Sequence, residues 1–175
     1  EAYFLREKHI QRMADSAEYF GFKFSKEKLE KYLDALSYRL RRSSQKDFRS
    51  LAIPQRVRIL LKRSGELTGK AKEFMQTKTQ IFKVCLAEKP IASSDGFLFH
   101  KTTRREVYDD ALQSCQSCDD VLLFNEKDEL TEFTIGNLVV EMNGKLVTPP
   151  IACGLLAGTF RKHLLESHQV TERVI

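Results

Sequence analysis

The stretch DELTEFTIGNLVVEMNGKLVTPP, residues 128–150, sets one carboxylate, Glu132, among apolar and turn-forming neighbours. Val139, Val140 and Met142 alternate irregularly with polar residues. Asn143 and Gly144 form the strongest short hairpin signal, and Lys145, Leu146 and Val147 resume an extended pattern before two prolines. The pattern predicts a β-hairpin with Glu132 just ahead of it. A carboxylate near the interior of a sheet needs a hydrogen-bonding or charged partner to offset its desolvation, and no basic residue flanks this one. Its partner must come from elsewhere in the chain or from a ligand.

Composition narrows the class of protein around that segment. At 175 residues, 42% of them hydrophobic, the chain can bury a substantial core as one large domain or two small ones. Its 29 basic and 24 acidic residues give a net charge of +5, but the signs are well mixed and the basic runs are short, as in RLRR at 39–42. That balance favours a small anionic ligand no less than nucleic acid. The aromatic residues fall mainly in apolar patterns, not between exposed basic ones, which argues against a nucleic-acid module. No apolar run is long enough to span a bilayer and no signal-peptide pattern stands at the start, so a cytoplasmic protein without a membrane partner is expected. Four cysteines do not suggest a disulfide scaffold. The CxxC spacing at 115–118 has no second pair at zinc-site distance and the four histidines show no ligand spacing, so a solvent-facing helix end and no metal are expected.

Periodicity divides the chain into helices and short extended runs. Ile10, Met13, Ala17 and Phe20 mark one amphipathic helix; Leu29, Tyr32, Leu33, Leu36 and Leu40 mark a second over about 26–41, with Ser25 as its N-cap. Extended runs follow at 56–62, 77–86, 121–125, 130–142 and 145–148, with a third helix at about 105–114 and a fourth starting near Gly158. Residues 87–95, AEKPIASSD, read as a linker. The order predicts an α+β protein with a small α/β N-terminal lobe, residues 1–94, and a mostly β C-terminal lobe, residues 95–175.

Lys101 follows the apolar run 97–99, read as extended, and precedes a helix-like segment. A lysine whose stem lies over apolar surface is the right type for Schiff-base formation, because desolvation lowers the ammonium pKa. Taken alone, a snorkelling surface lysine is the commoner reading. Its company is more informative. YFLREKHIQRMADSAEYFGF (3–22), HKTTRREVYDDA (100–111), NEKDELTEFTIGNLVVEMNGKLVTPP (125–150) and CGLLAGTFRKHLLE (153–166) occur in this order. Together they resemble the class IV, fold type IV pyridoxal-phosphate enzymes, most closely the aminodeoxychorismate lyase branch, including lyase portions fused behind an aminodeoxychorismate synthase component.

The resemblance implies a role for each block. Lys101 matches the lysine that bonds the cofactor covalently, and Glu132 matches the glutamate that pairs with the protonated pyridine nitrogen. Arg12 in HIQRM matches the arginine on the cofactor phosphate, where a guanidinium fork suits a dianion. Thr159 and Phe160 match the helix-start residues whose backbone N–H groups cradle that phosphate. Leu156 matches the apolar residue on the ring face. The implied activity is pyridoxal 5'-phosphate-dependent cleavage of 4-amino-4-deoxychorismate to pyruvate and 4-aminobenzoate, in folate biosynthesis. The implied assembly is a homodimer, with a synthase component fused or associated. Two alternatives stand beside it: a class IV aminotransferase for branched-chain or D-amino acids, and a cofactor-free degenerate relative acting as a binding domain. Against the family pattern, the strands ahead of HIQRM and the segment beyond VTERVI are missing, so the chain reads as truncated at both ends.

Overall fold

The computed structural model describes residues 3–44, 54–74, 81–115 and 117–175, and the chain folds as two compact units, Glu1–Gln80 and Ile81–Ile175. The sequence reading divides the chain after residue 94; the packing divides it earlier because residues 84–95 are built into the second unit.

In the first unit, helices α1 (Arg6–Tyr19) and α2 (Lys26–Ser44) lie against a hairpin of β1 (Gln55–Leu61) and β2 (Leu67–Glu73). Ile10, Leu29 and Leu33 are buried together, with Met13, Ile59 and Leu67 packed around them, so the apolar stripes of both helices close on one face of the hairpin. Ser25 caps α2 as its spacing predicts, its Oγ accepting from the Lys28 N–H at 3.2 Å. Gly69 admits this packing: a Cβ there would meet Ile59 Cδ1 at 2.6 Å and the Tyr32 ring at 3.0 Å. Strand β2 has no counterpart in the sequence reading, because LTGKAKE carries a glycine and charges at positions where alternation is weak. Residues 77–80 of the expected run 77–86 lie outside the described residues; its end is β3 (Val84–Leu86).

In the second unit, β3 pairs in parallel with β4 (Asp120–Phe124), which pairs antiparallel with β5 (Leu130–Phe133). Helix α3 (Glu106–Ser114) lies over this sheet. Val121 and Leu123, two apart on β4, are fully buried against Val107, Tyr108, Ala111 and Leu112, which recur at helical spacing on α3. A second sheet joins β6 (Val140–Met142) antiparallel to β7 (Lys145–Thr148), with β8 (Thr171–Glu172) parallel beside β7. Asn143 and Gly144, at φ 52° and 73°, make the turn between β6 and β7; two successive positive φ angles are what a two-residue hairpin of matching twist requires. Helix α4 (Thr159–Glu166) follows.

Three expectations are corrected here. The run 97–99 is not extended: Gly96–Phe99 form a single 3-10 turn capped by Asp95, whose Oδ1 accepts from the Phe97 N–H at 2.9 Å. The supposed linker 87–95 is packed. Ala87 and Ile91 are buried, Ile91 bridges to Asn125, and the Ser93 N–H and Oγ donate to Glu126 at 2.7 and 2.6 Å. Its polar composition caps a turn of the core; it does not span open solvent. Cys85 and Cys118 form a disulfide, a single bridge that cysteine counting did not anticipate.

Candidate active site

Glu132 lies on β5, ahead of the β6–β7 hairpin as its sequence context suggested, and is 3% exposed. Two of its three partners come from distant segments. Tyr108 of α3 donates its hydroxyl to Oε1 at 2.8 Å, the Leu156 N–H donates to the same oxygen at 3.1 Å, and Asn137 Nδ2 donates to Oε2 at 3.0 Å. Every buried lone pair counted this way offsets part of the desolvation cost of the carboxylate. The offset is incomplete. Burial pushes the Glu132 carboxyl up to about 7, against the Leu156 and Tyr108 donors and the nearby positive charges of Lys101 and Arg105. Tyr108 is raised in turn by its own burial and by the neighbouring carboxylate.

The local folding explains why these groups converge. Residues 133–136 make a tight turn in which the Phe133 N–H donates to Gly136 O at 2.8 Å, and Asn137 returns as a bridge partner of Glu132. Asn137 Nδ2 also donates to Leu156 O at 2.8 Å, so one amide ties the carboxylate to the segment entering α4. Arg105 donates to Thr134 O at 2.8 Å and stacks its guanidinium 4.8 Å from the Tyr108 ring centroid, which fixes the start of α3 against the same turn.

Helix α4 is anchored by Arg161, a buried cation. Its Nη2 donates to Pro149 O at 2.7 Å and to Glu172 at 2.5 Å, and its Nε donates to Thr148 Oγ1 at 3.3 Å. The helix opens at Gly158 with no side-chain cap and no carboxylate in its first turn, the electrostatic setting an anion at a helix N-terminus requires. Thr159 is buried, while Phe160 is 55% exposed. Gly158 has an ordinary φ of −60°, so its need for glycine is spatial, not conformational. A Cβ there would stand 1.9 Å from Asn137 Oδ1 and 3.1 Å from its Cγ. Gly158→Ala is therefore expected to displace Asn137 from Glu132 and to cost about 1–3 kcal/mol, as overpacking of a closed site does; the shift of the urea unfolding midpoint measures it.

Of the residues singled out in the sequence, Lys101, Glu132, Leu156, Thr159 and Phe160 lie in the second unit. Leu156 bonds Glu132 directly, and the charge of Lys101, an exposed side chain just beyond the 3-10 turn, acts on it. Arg12 lies on α1 in the first unit, with Nη2 3.4 Å from His9 Nδ1, and burial lowers its guanidinium pKa. Sequence reasoning missed Tyr108, Asn137 and Arg105. Tyr108 sits at helical spacing with Val107, Ala111 and Leu112 and reads as core; Asn137 reads as a turn former. Neither residue type reveals that its polar end meets a carboxylate.

The raised Glu132 pKa has a sign that can be measured. A carboxyl that titrates near 7 when folded and near 4.5 when unfolded takes up a proton on folding between those values, so its contribution is most favourable below pH 4.5 and falls as pH rises toward 7. The shift amounts to on the order of 3 kcal/mol. Urea unfolding of the parent and of Glu132→Gln across this window is expected to show the parent losing stability relative to the variant as pH rises; parallel curves would contradict it.

All of residues 1–175 match the family model described as amino-transferase class IV, and the chain belongs to that family. It is 31% identical over 174 residues to a Schizosaccharomyces pombe protein named "Putative aminodeoxychorismate lyase", covering 97% of this chain and 71% of that one. Among solved structures it resembles a "Putative amino-acid aminotransferase" from Mesorhizobium loti, with a TM-score of 0.79 and 28% identity over 98% of this chain and 80% of the other. It also shares its fold with a hypothetical aminotransferase from Mycobacterium tuberculosis solved in a PLP-bound form, with a TM-score of 0.75 and 18% identity over 97% and 66% of the two chains. The α+β class IV fold is thus established. Among the described residues no helix is long and apolar enough to cross a membrane.

Proposed function

We propose that the chain carries the pyridoxal-phosphate site of a 4-amino-4-deoxychorismate lyase, which releases pyruvate and 4-aminobenzoate. The observation that carries this reading is Glu132: a nearly inaccessible carboxyl, held by three donors from separate segments, that titrates near neutrality and feels the charge of a lysine. The donor set fits the cofactor. Lys101 offers an exposed amine for covalent attachment, Glu132 a buried carboxyl for the ring nitrogen, Leu156 an apolar side chain for the ring face, and the Thr159 and Phe160 end of α4 a setting for the phosphate. The resemblance alone assigns the phosphate also to Arg12.

When bound, pyridoxal phosphate supplies an electron sink for a carbanion at the substrate carbon bearing nitrogen. The chain's own residues do the rest. Glu132 holds a proton at a carboxyl oxygen near pH 7 and would face the ring nitrogen of the bound cofactor, where its ionised form would favour a protonated ring. Tyr108, Asn137 and the Leu156 N–H keep both carboxyl oxygens oriented. Lys101, in its neutral form, accepts a proton as general base. Loss of pyruvate then leaves an aromatic product, which makes the conversion effectively irreversible.

The name of the S. pombe relative supports lyase chemistry, and the resemblance adds a homodimer and a synthase component, fused or associated, that supplies the substrate. A second reading, an aminotransferase for branched-chain or D-amino acids, is favoured by the likeness to the M. loti protein and would use the same residues. Product analysis separates them. With aminodeoxychorismate as sole substrate, the whole protein is expected to release pyruvate and 4-aminobenzoate in equal amounts; keto-acid formation from amino acids without that release would instead establish the aminotransferase.

A further inference from the structure

We propose that Cys85, Cys115 and Cys118 form a thiol–disulfide exchange site in which Cys115 attacks the bridge between the other two. Cys85 and Cys118 are joined, Cys115 carries a free thiol, and the three sulfurs lie within 4.8 Å of one another. All three side chains are partly accessible, not sealed in the core. Cys85 sits on β3 opposite Val121 of β4, Cys118 lies on the approach to β4, and Cys115 ends α3, its N–H donating to Leu112 O. The Ser117 Oγ is 3.9 Å from Cys85 Sγ and 3.6 Å from Cys118 Sγ, placing a hydroxyl able to donate to a departing thiolate.

A thiol held against an existing disulfide with access to solvent is what exchange requires. The Cys115 thiolate adds to Cys118 Sγ; the Cys115–Cys118 bond forms while the Cys85–Cys118 bond breaks. Cys85 leaves as a thiolate and takes up the proton that Cys115 released. One disulfide is present before and after, so no oxidant or reductant is consumed. A soft metal ion would draw on the same sulfurs, but with two of them bonded to each other one thiolate remains, too few for a structural zinc site. The exchange moves a tether. The Cys85–Cys118 bond ties β3 to the approach of β4, whereas the Cys115–Cys118 bond closes the end of α3 on itself and releases β3 from its covalent link.

The test is disulfide mapping of the purified protein, quenched in acid, alkylated and digested with trypsin without reduction. Cys85 falls in one fragment, 84–101, and Cys115 and Cys118 share another, 106–127. Both pairings are expected in the parent: the fragments joined with Cys115 alkylated, and the fragments separate with Cys85 alkylated. Cys115→Ser is expected to lose the second pairing, and Cys85→Ser to retain it alone. The proposal is overturned if the parent shows only the Cys85–Cys118 pairing, which would mark a static bridge. Three alkylated thiols, or reduced thiols with a stoichiometric amount of zinc released on acidification, would overturn it equally.

Discussion

Lys101→Ala is expected to lower the rate of pyruvate release from aminodeoxychorismate by on the order of 10⁴-fold, the upper end of what a positioned acid–base group supplies. Two losses combine in this variant. The covalent anchor and the proton acceptor of the proposed mechanism are the same amine, so its removal takes away both roles at once. The positive charge that steadies the Glu132 carboxylate also goes, so Glu132 is expected to titrate higher than the value of about 7 it has beside Lys101. Single-turnover rates with saturating pyridoxal phosphate measure the first effect, and the pH dependence of unfolding measures the second. A variant that kept turnover within a few fold of the parent would return Lys101 to the role of an exposed side chain with its stem on apolar surface.

Glu132→Gln is expected to slow the carbanion-forming step by about 10²- to 10³-fold, equivalent to about 2–4 kcal/mol of lost transition-state stabilisation. The amide is nearly isosteric and its oxygen can keep the bonds from the Tyr108 hydroxyl and the Leu156 N–H, so the fold should survive, although its NH2 then meets Asn137 Nδ2 as donor against donor. What it cannot supply is a negative charge against a protonated ring nitrogen. The effect is therefore expected in kcat at equal cofactor occupancy. Arg12→Ala is expected to behave in the opposite manner, weakening cofactor retention with turnover per bound cofactor nearer to normal. Titration of cofactor absorbance alongside the rate separates the two patterns. Equal turnover in Glu132→Gln and parent would make Glu132 a structural carboxyl of β5.

Much of this arrangement was legible in the residues. The Asn143 and Gly144 turn, the Ser25 cap and the start of α4 at Gly158 follow from local rules, because each depends on a few neighbouring dihedrals and donors. Glu132 announced itself as a carboxylate in need of a partner. The partner could not be named, since Tyr108 and Asn137 reach it only after α3 has settled on β4 and the 133–136 turn has closed. The 3-10 turn at Gly96–Phe99 was hidden for a related reason. Three apolar residues in a row read equally well as strand or as buried turn, and here the Asp95 cap and the burial of Leu98 decide it. In the sequence Gly158 marks only the start of α4, but it is the space taken by Asn137 that forbids a side chain there. No sequence pattern marks a residue that must be small because a distant amide needs the room.

Borohydride reduction of the protein loaded with pyridoxal phosphate, followed by digestion and mass spectrometry, asks whether Lys101 carries the cofactor of the site to which Glu132 belongs. Loss of the yellow colour and a pyridoxyl group on Lys101 are expected. An adduct confined to another lysine, or none in a cofactor-replete sample, would contradict that assignment.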